Sequence, residues 1–131
     1  MTLYKIDEWL DKIRQELVQC NIILQMLFGY EKYDKIVYKV YDKKLKQVLG
    51  TYNNYLLDNT FLVGHKPTIA DLALANFLVA YFRFHLDEKS RKKYVGLTRH
   101  FDFMIHQKSF VEIIGRVWNC ETILRPIGYL K

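Results

Sequence analysis

Three observations predict that this chain is all-α, a helical bundle of about five helices. Apolar residues recur in steps of three and four along most of the chain, no stretch of useful length alternates apolar and polar residues as a half-buried strand would, and no segment repeats at a fixed period. Half of the 131 residues are hydrophobic, against only six Gly and two Pro, which is the composition of a chain that builds a core and does not stay disordered. That length is the usual size of one domain, so residues 1–131 are expected to form a single helical unit.

Each element follows from a local pattern. Ile6, Leu10, Ile13, Leu17, Cys20, Leu24 and Leu27 line one helical face, predicting a first helix of roughly twenty residues that stops at Gly29. Val37, Tyr41, Leu45, Val48, Tyr52 and Leu56 repeat the spacing in a second helix that ends at Asp58-Asn59. A loop follows, because Thr60-Phe-Leu-Val-Gly64 is too short for a helix and Gly64-His-Lys-Pro67 breaks the chain. Thr68-Ile-Ala-Asp71 has capping-box spacing, in which a threonine hydroxyl meets the N3 amide and the N3 acid returns to the cap's own amide. Beyond it, Leu72, Ala73, Leu74, Ala75, Phe77, Leu78, Val79 and Ala80 cover every face, so the third helix is expected to run through the centre with Asn76 as its lone interior polar residue. After the charged stretch Asp87 to Lys93, Leu97, Phe101, Met104 and Ile105 predict a fourth helix ending near Gln107. Ser109-Phe-Val-Glu112 repeats the capping spacing, and Phe110, Ile113, Ile114, Val117, Cys120 and Ile123 supply the apolar side of a fifth helix, which Gly115 weakens and Pro126 ends.

The chemistry read from the residues is mostly exclusion. Twenty basic and fourteen acidic side chains give a net charge of +6, which permits a nucleic-acid or acidic partner without requiring one. Lys43, Lys44 and Lys46, and the stretch from Asp87 to Lys93, are mixed with acids and read as solvated faces. Cys20 and Cys120 form no CxxC pair, which fits a reducing compartment. The longest apolar run, Leu72 to Phe82, falls short of the ~20 residues of a membrane span, and acids stand where a signal peptide would be apolar, so a cytoplasmic location without membrane contact is expected. His65, His85, His100 and His106 lack metal-ligand spacing, and nucleophile-elbow and phosphate-loop motifs are missing. No catalytic residue, cofactor or metal site is therefore assigned. Trp9, Trp118 and most of the tyrosines read as packing residues.

The segment from Asn59 to Ala73, with its FLVG-x-x-x-T-x-A-D pattern, resembles the C-terminal helical domain of the glutathione transferase superfamily. In that superfamily the threonine and aspartate matching Thr68 and Asp71 cap a central buried helix. From Phe61 to Glu121 the residues Arg99, Phe101, Phe110, Gly115-x-Val117 and Cys120-Glu121 resemble the transferase-like region of the gamma subunit of the eukaryotic elongation factor one complex, which usually has Arg-Trp-Phe where this chain has Arg99-His100-Phe101. Transferase-like modules of aminoacyl-tRNA synthetase complexes share Leu-Val-Gly-His-Lys-x-Thr-Ile-Ala-Asp and the spacing from Lys93-Tyr94 to Arg99. The resemblance implies a non-catalytic scaffold in translation that anchors nucleotide-exchange subunits. Its alternatives are an assembly module among synthetase-complex proteins, or the substrate-binding half of a true glutathione transferase. In the superfamily glutathione is held mainly by an N-terminal thioredoxin-like domain, so a chain that begins at the helical domain is expected to transfer no glutathione and to need no cofactor. Protein partners, a homodimer and weak contact with tRNA are all compatible with it. Arg99 matches an arginine on the docking helix of the synthetase-complex relatives and is the candidate interface residue; its replacement is expected to leave folding nearly untouched.

Overall fold

The computed structural model describes residues 2–117 and residue 123, and among them every regular element is a helix: α1 (Thr2–Leu17), a 3-10 turn (Val18–Cys20), α2 (Asn21–Leu27), α3 (Lys35–Asp58), α4 (Ile69–Phe84), α5 (Glu88–Lys93), α6 (Val95–Ile105) and α7 (Lys108–Ile114). The class is the expected one, with seven α-helices where five were counted. The first extra helix comes from a break in the predicted N-terminal one. At Val18–Cys20 the backbone tightens, the Cys20 thiol donates to the Glu16 carbonyl at 3.7 Å, and Asn21 opens α2 while accepting from the Tyr81 hydroxyl at 3.1 Å. The apolar face runs unbroken across the break, since Leu17, Cys20 and Ile23 are all fully buried. The second extra helix is α5, where the Asp87 carboxylate accepts from the Ser90 amide and Arg91, Lys92 and Lys93 fall in the last turn, favourably placed for the helix dipole.

The remaining boundaries have local causes. Gly29, at φ 80°, ends α2 as expected, and Asp34 starts α3 by accepting from the amides of Ile36 and Val37 at 3.0 and 3.2 Å. Helix α7 differs from its expectation at both ends. It begins at Lys108 with Gln107 as the capping residue, so Ser109 lies inside the first turn and not ahead of it. It stops at Ile114 because Gly115 takes φ 92°, a conformation outside the helix, so Gly115 terminates the element it was expected only to weaken. Val117 therefore lies beyond the helix, while Trp118, Cys120, Glu121 and Pro126 lie outside the described residues.

Helix α4 packs between α1 and α6, and α3 packs against α2 and α6. Leu74, Ala75, Leu78, Tyr81 and Phe82 of α4 are fully buried, and the Phe82 ring stacks on Phe101 at 4.1 Å between centroids. The expectation that α4 is enclosed on every face is corrected here: Asn76 is exposed, Leu72 and Ala73 are only half-buried, and Asn76 needs no buried partner. Trp9 packs against Tyr52 and Tyr55 at 5.8 and 4.8 Å, tying α1 to α3.

Helices α3 and α6 approach closely where they cross at Gly96. A Cβ on Gly96 would stand 2.9 Å from the Leu57 amide nitrogen and 3.0 Å from the Asn53 carbonyl oxygen, so only glycine lets the two backbones meet. Beside it the Asn53 side chain accepts from the Leu97 amide at 3.0 Å. Gly96→Ala should force the helices apart and lower stability by about 2 kcal/mol, several degrees in melting temperature. An unchanged thermal transition would show that the crossing is not tight.

Candidate interaction site on helix α6

The site is assembled around Asp71, which is fully buried in the first turn of α4. Its Oδ2 accepts from the Thr68 amide at 2.9 Å and lies 3.2 Å from the Thr68 hydroxyl, in capping-box geometry. Its Oδ1 reaches two groups that the local spacing did not disclose. The Leu62 amide donates to it at 2.9 Å, and Nε2 of His100 on α6 does so at 2.7 Å, with both side chains of that pair shut off from solvent. Burial pushes the Asp71 carboxyl up, but the hydrogen bonds from His100, Leu62 and Thr68 outweigh it and hold the group below the ordinary carboxylate range. His100 thus carries its proton on Nε2, leaving its buried Nδ1 without a hydrogen-bond partner. The position at which this chain departs from Arg-Trp-Phe is the one that docks α6 onto the start of α4.

Next to this anchor in the sequence and about 100° round the helix from it, Arg99 is exposed on α6 and turns back onto its own chain. Its Nη2 donates to the carbonyls of Leu56 at 2.9 Å and Asn59 at 3.2 Å, the carbonyls left open at the end of α3. Nη1 and Nε make no hydrogen bond among the described residues. Around Arg99 stand large apolar side chains facing solvent: Leu57 is 57% exposed, Val95 62% and Phe103 43%. The Phe103 ring sits edge-on to Phe61 at 5.5 Å, which fixes its orientation. An arginine with free donors inside an apolar rim has the make-up of an interface anchor. Its bonds to α3 also mean that removing it would loosen the end of that helix, contrary to the expectation that folding would be nearly untouched.

A second histidine–carboxylate pair joins α3 to the end of α4. His85 Nε2 lies 2.7 Å from Asp42 Oδ1, and Lys46 bonds the other oxygen at 3.0 Å. Burial raises the Asp42 carboxyl, and its bonds to His85 and Lys46 more than offset that, leaving it below the usual range. Among the described residues no group of three or more His, Cys, Asp or Glu is placed to hold a metal, and no helix is long and apolar enough to cross a membrane.

Residues 17–108 match the family model of the glutathione S-transferase C-terminal domain. The chain belongs to that family. Among curated relatives, this glutathione S-transferase C-terminal domain is 29% identical over 119 residues to a valine–tRNA ligase of Takifugu rubripes, covering 89% of this chain and 10% of the ligase. It is 30% identical over 120 residues to elongation factor 1-gamma 3 of Oryza sativa subsp. japonica, covering 90% of this chain and 29% of that protein. A putative glutathione S-transferase of Schizosaccharomyces pombe is 31% identical over 103 residues, with 76% of this chain and 47% of that protein covered. The domain therefore spans well under two thirds of the length of each of these relatives. The crystal structure of the GST-like domain of elongation factor 1-gamma from Saccharomyces cerevisiae superposes with a TM-score of 0.87 at 18% identity, over 94% of this chain and 57% of that one, and shares its fold.

Because Asp71 satisfies four donors from three segments, Asp71→Ala should reduce stability at neutral pH by about 3 kcal/mol, more than the ~1 kcal/mol of an exposed cap. A carboxyl held below its unfolded value stabilises the fold above that value and loses the contribution as pH falls through the folded one. The difference in urea midpoint between wild type and Asp71→Ala should therefore be constant above about pH 5 and shrink below about pH 4. A difference that stays the same down to the acid limit would remove Asp71 from the ionised network.

Proposed function

We propose that this domain is a non-catalytic interaction module of the translation apparatus, of the kind that anchors the nucleotide-exchange subunits of the elongation factor one complex, and that it works in the cytoplasm. The observation that carries this reading is the rim of exposed Leu57, Val95 and Phe103 around Arg99 at the crossing of α3 and α6. A pre-positioned apolar patch with an arginine at its centre gives a partner both area to bury and a carboxylate fork to fill. Relatives named for protein synthesis support it, since both a valine–tRNA ligase and elongation factor 1-gamma align with nearly the whole chain. The chemistry of the two histidine pairs is also consistent with a scaffold, because each holds helices together and His100 is out of reach of any substrate.

The similarity to valine–tRNA ligase supports a second reading, an assembly module within a synthetase complex. Calorimetric titration of the domain with purified exchange subunits, and separately with purified synthetase-complex proteins, distinguishes the two by which partner binds. Under either reading, the Leu57→Glu, Val95→Glu double variant should weaken binding at least tenfold and leave the melting temperature nearly unchanged, since both side chains already face solvent. Full binding by that variant would move the interface elsewhere. Glutathione should give no heat of binding to the domain; a micromolar dissociation constant would overturn the non-catalytic reading in favour of a transferase half, the reading that the Schizosaccharomyces pombe relative supports.

A further inference from the structure

Helix α3 carries a charged surface that the α6 patch does not use. Between Lys35 and Gln47 it holds five lysines, one aspartate and no arginine. Lys35, Lys39, Lys43 and Lys46 are all exposed and recur at i, i+4, i+8 and i+11, which keeps them within about 80° of one another round the axis and spaces them by roughly 6 Å over about 16 Å of helix. Lys39, Lys43 and Lys46 border a surface depression with Asp42 and Gln47. Two of the three acids nearby are engaged within the fold, and the third, Glu31 beside Tyr30, is exposed. Asp34 caps the helix through the Ile36 and Val37 amides, and Asp42 is held by His85 and Lys46, so Lys35, Lys39 and Lys43 form no ion pair among the described residues.

Alongside this row lie apolar groups that a solvated charged face would not need. Ile36 is 75% exposed and Val40 58%, and Tyr30, in the turn before the helix, is 83% exposed. Lysine ammoniums at regular intervals follow a line of phosphates as point charges, while an exposed tyrosine and aliphatic surface give unstacked bases something to lie on. An acidic peptide would be better met by arginine forks, and α3 has none. From this arrangement we infer that the lysine face of α3, with Tyr30 in the turn five residues before it, binds single-stranded RNA through its phosphate backbone. The inference does not use the α6 patch, whose Leu57 falls on the same side of α3 about 16 Å beyond Lys46 along the helix.

The test is fluorescence anisotropy of a short labelled single-stranded RNA titrated with the full chain at several salt concentrations. Lys39→Glu, Lys43→Glu is compared with Lys5→Glu, Lys66→Glu, which makes the same change in net charge on α1 and the loop before α4. The α3 pair should weaken binding at least tenfold and lower the slope of log affinity against log salt by about 1.4, two phosphate contacts on a single strand, while the other pair changes affinity less than twofold. Tyr30→Ala should weaken binding several-fold with the salt slope unchanged. Equal losses from the two lysine pairs would reduce the effect to net charge and overturn the site. Labelled polyglutamate binding as tightly as RNA, or no RNA binding at 50 mM salt, would overturn it as well. Circular dichroism of each variant, and the neutral pair Lys39→Gln, Lys43→Gln, separate loss of binding from loss of fold.

Discussion

A carboxylate at the centre of a helical domain is tolerable only when hydrogen-bond donors replace the water it has lost. Asp71 meets that condition by drawing on the loop through Leu62, on the helix start through Thr68 and on α6 through His100. The donors come from three segments, so the loop, the first turn of α4 and the axis of α6 are tied to one point. The placement of α6 then determines where Gly96 meets α3 and where Arg99 can reach the carbonyls at its end. The surface that carries the proposed interface is in this sense a product of a buried charge.

The crossing of α3 and α6 shows how the exposed patch gains rigidity without being covered. Gly96 removes the side chain that would separate the backbones, Asn53 ties the α6 amide of Leu97, and Arg99 closes the α3 terminus from the far side. Leu57, Val95 and Phe103 are displayed from two helices tied together at that crossing. A partner docking there would not have to order them first, which is where pre-organisation favours affinity.

Much of this was legible in the sequence because it is local. The stripes of α1, α3 and α6, the stop at Gly29 and the Thr68 to Asp71 spacing all depend on residues within a turn or two of one another. What spacing could not disclose was contact between distant segments. It assigned one oxygen of Asp71 to the cap and left the other without a partner, and a buried acid with a spare oxygen is itself a signal that a donor must come from elsewhere in the fold. His100 was visible only as a departure from a family pattern. Arg99 was expected to serve a partner alone, because its two acceptors within the chain lie some forty positions upstream, at the end of α3. Gly115 was judged by its propensity inside a helix, whereas its positive φ makes it the end of one. The Asn21 side chain that follows the break after Leu17 is bonded to Tyr81, sixty residues away.

Leu62 lies in a loop, yet both of its backbone groups are occupied by side chains: its amide by Asp71 and its carbonyl by the Tyr55 hydroxyl at 2.9 Å. Both partners stand in terminal turns of core helices, Tyr55 in the last turn of α3 and Asp71 in the first of α4, so the loop is pinned at the point where each helix ends. Leu62 itself is buried, and its amide can meet solvent only after leaving a carboxylate that is buried as well. At this one position an irregular segment is expected to show the slow hydrogen exchange that is ordinarily the mark of a helix interior.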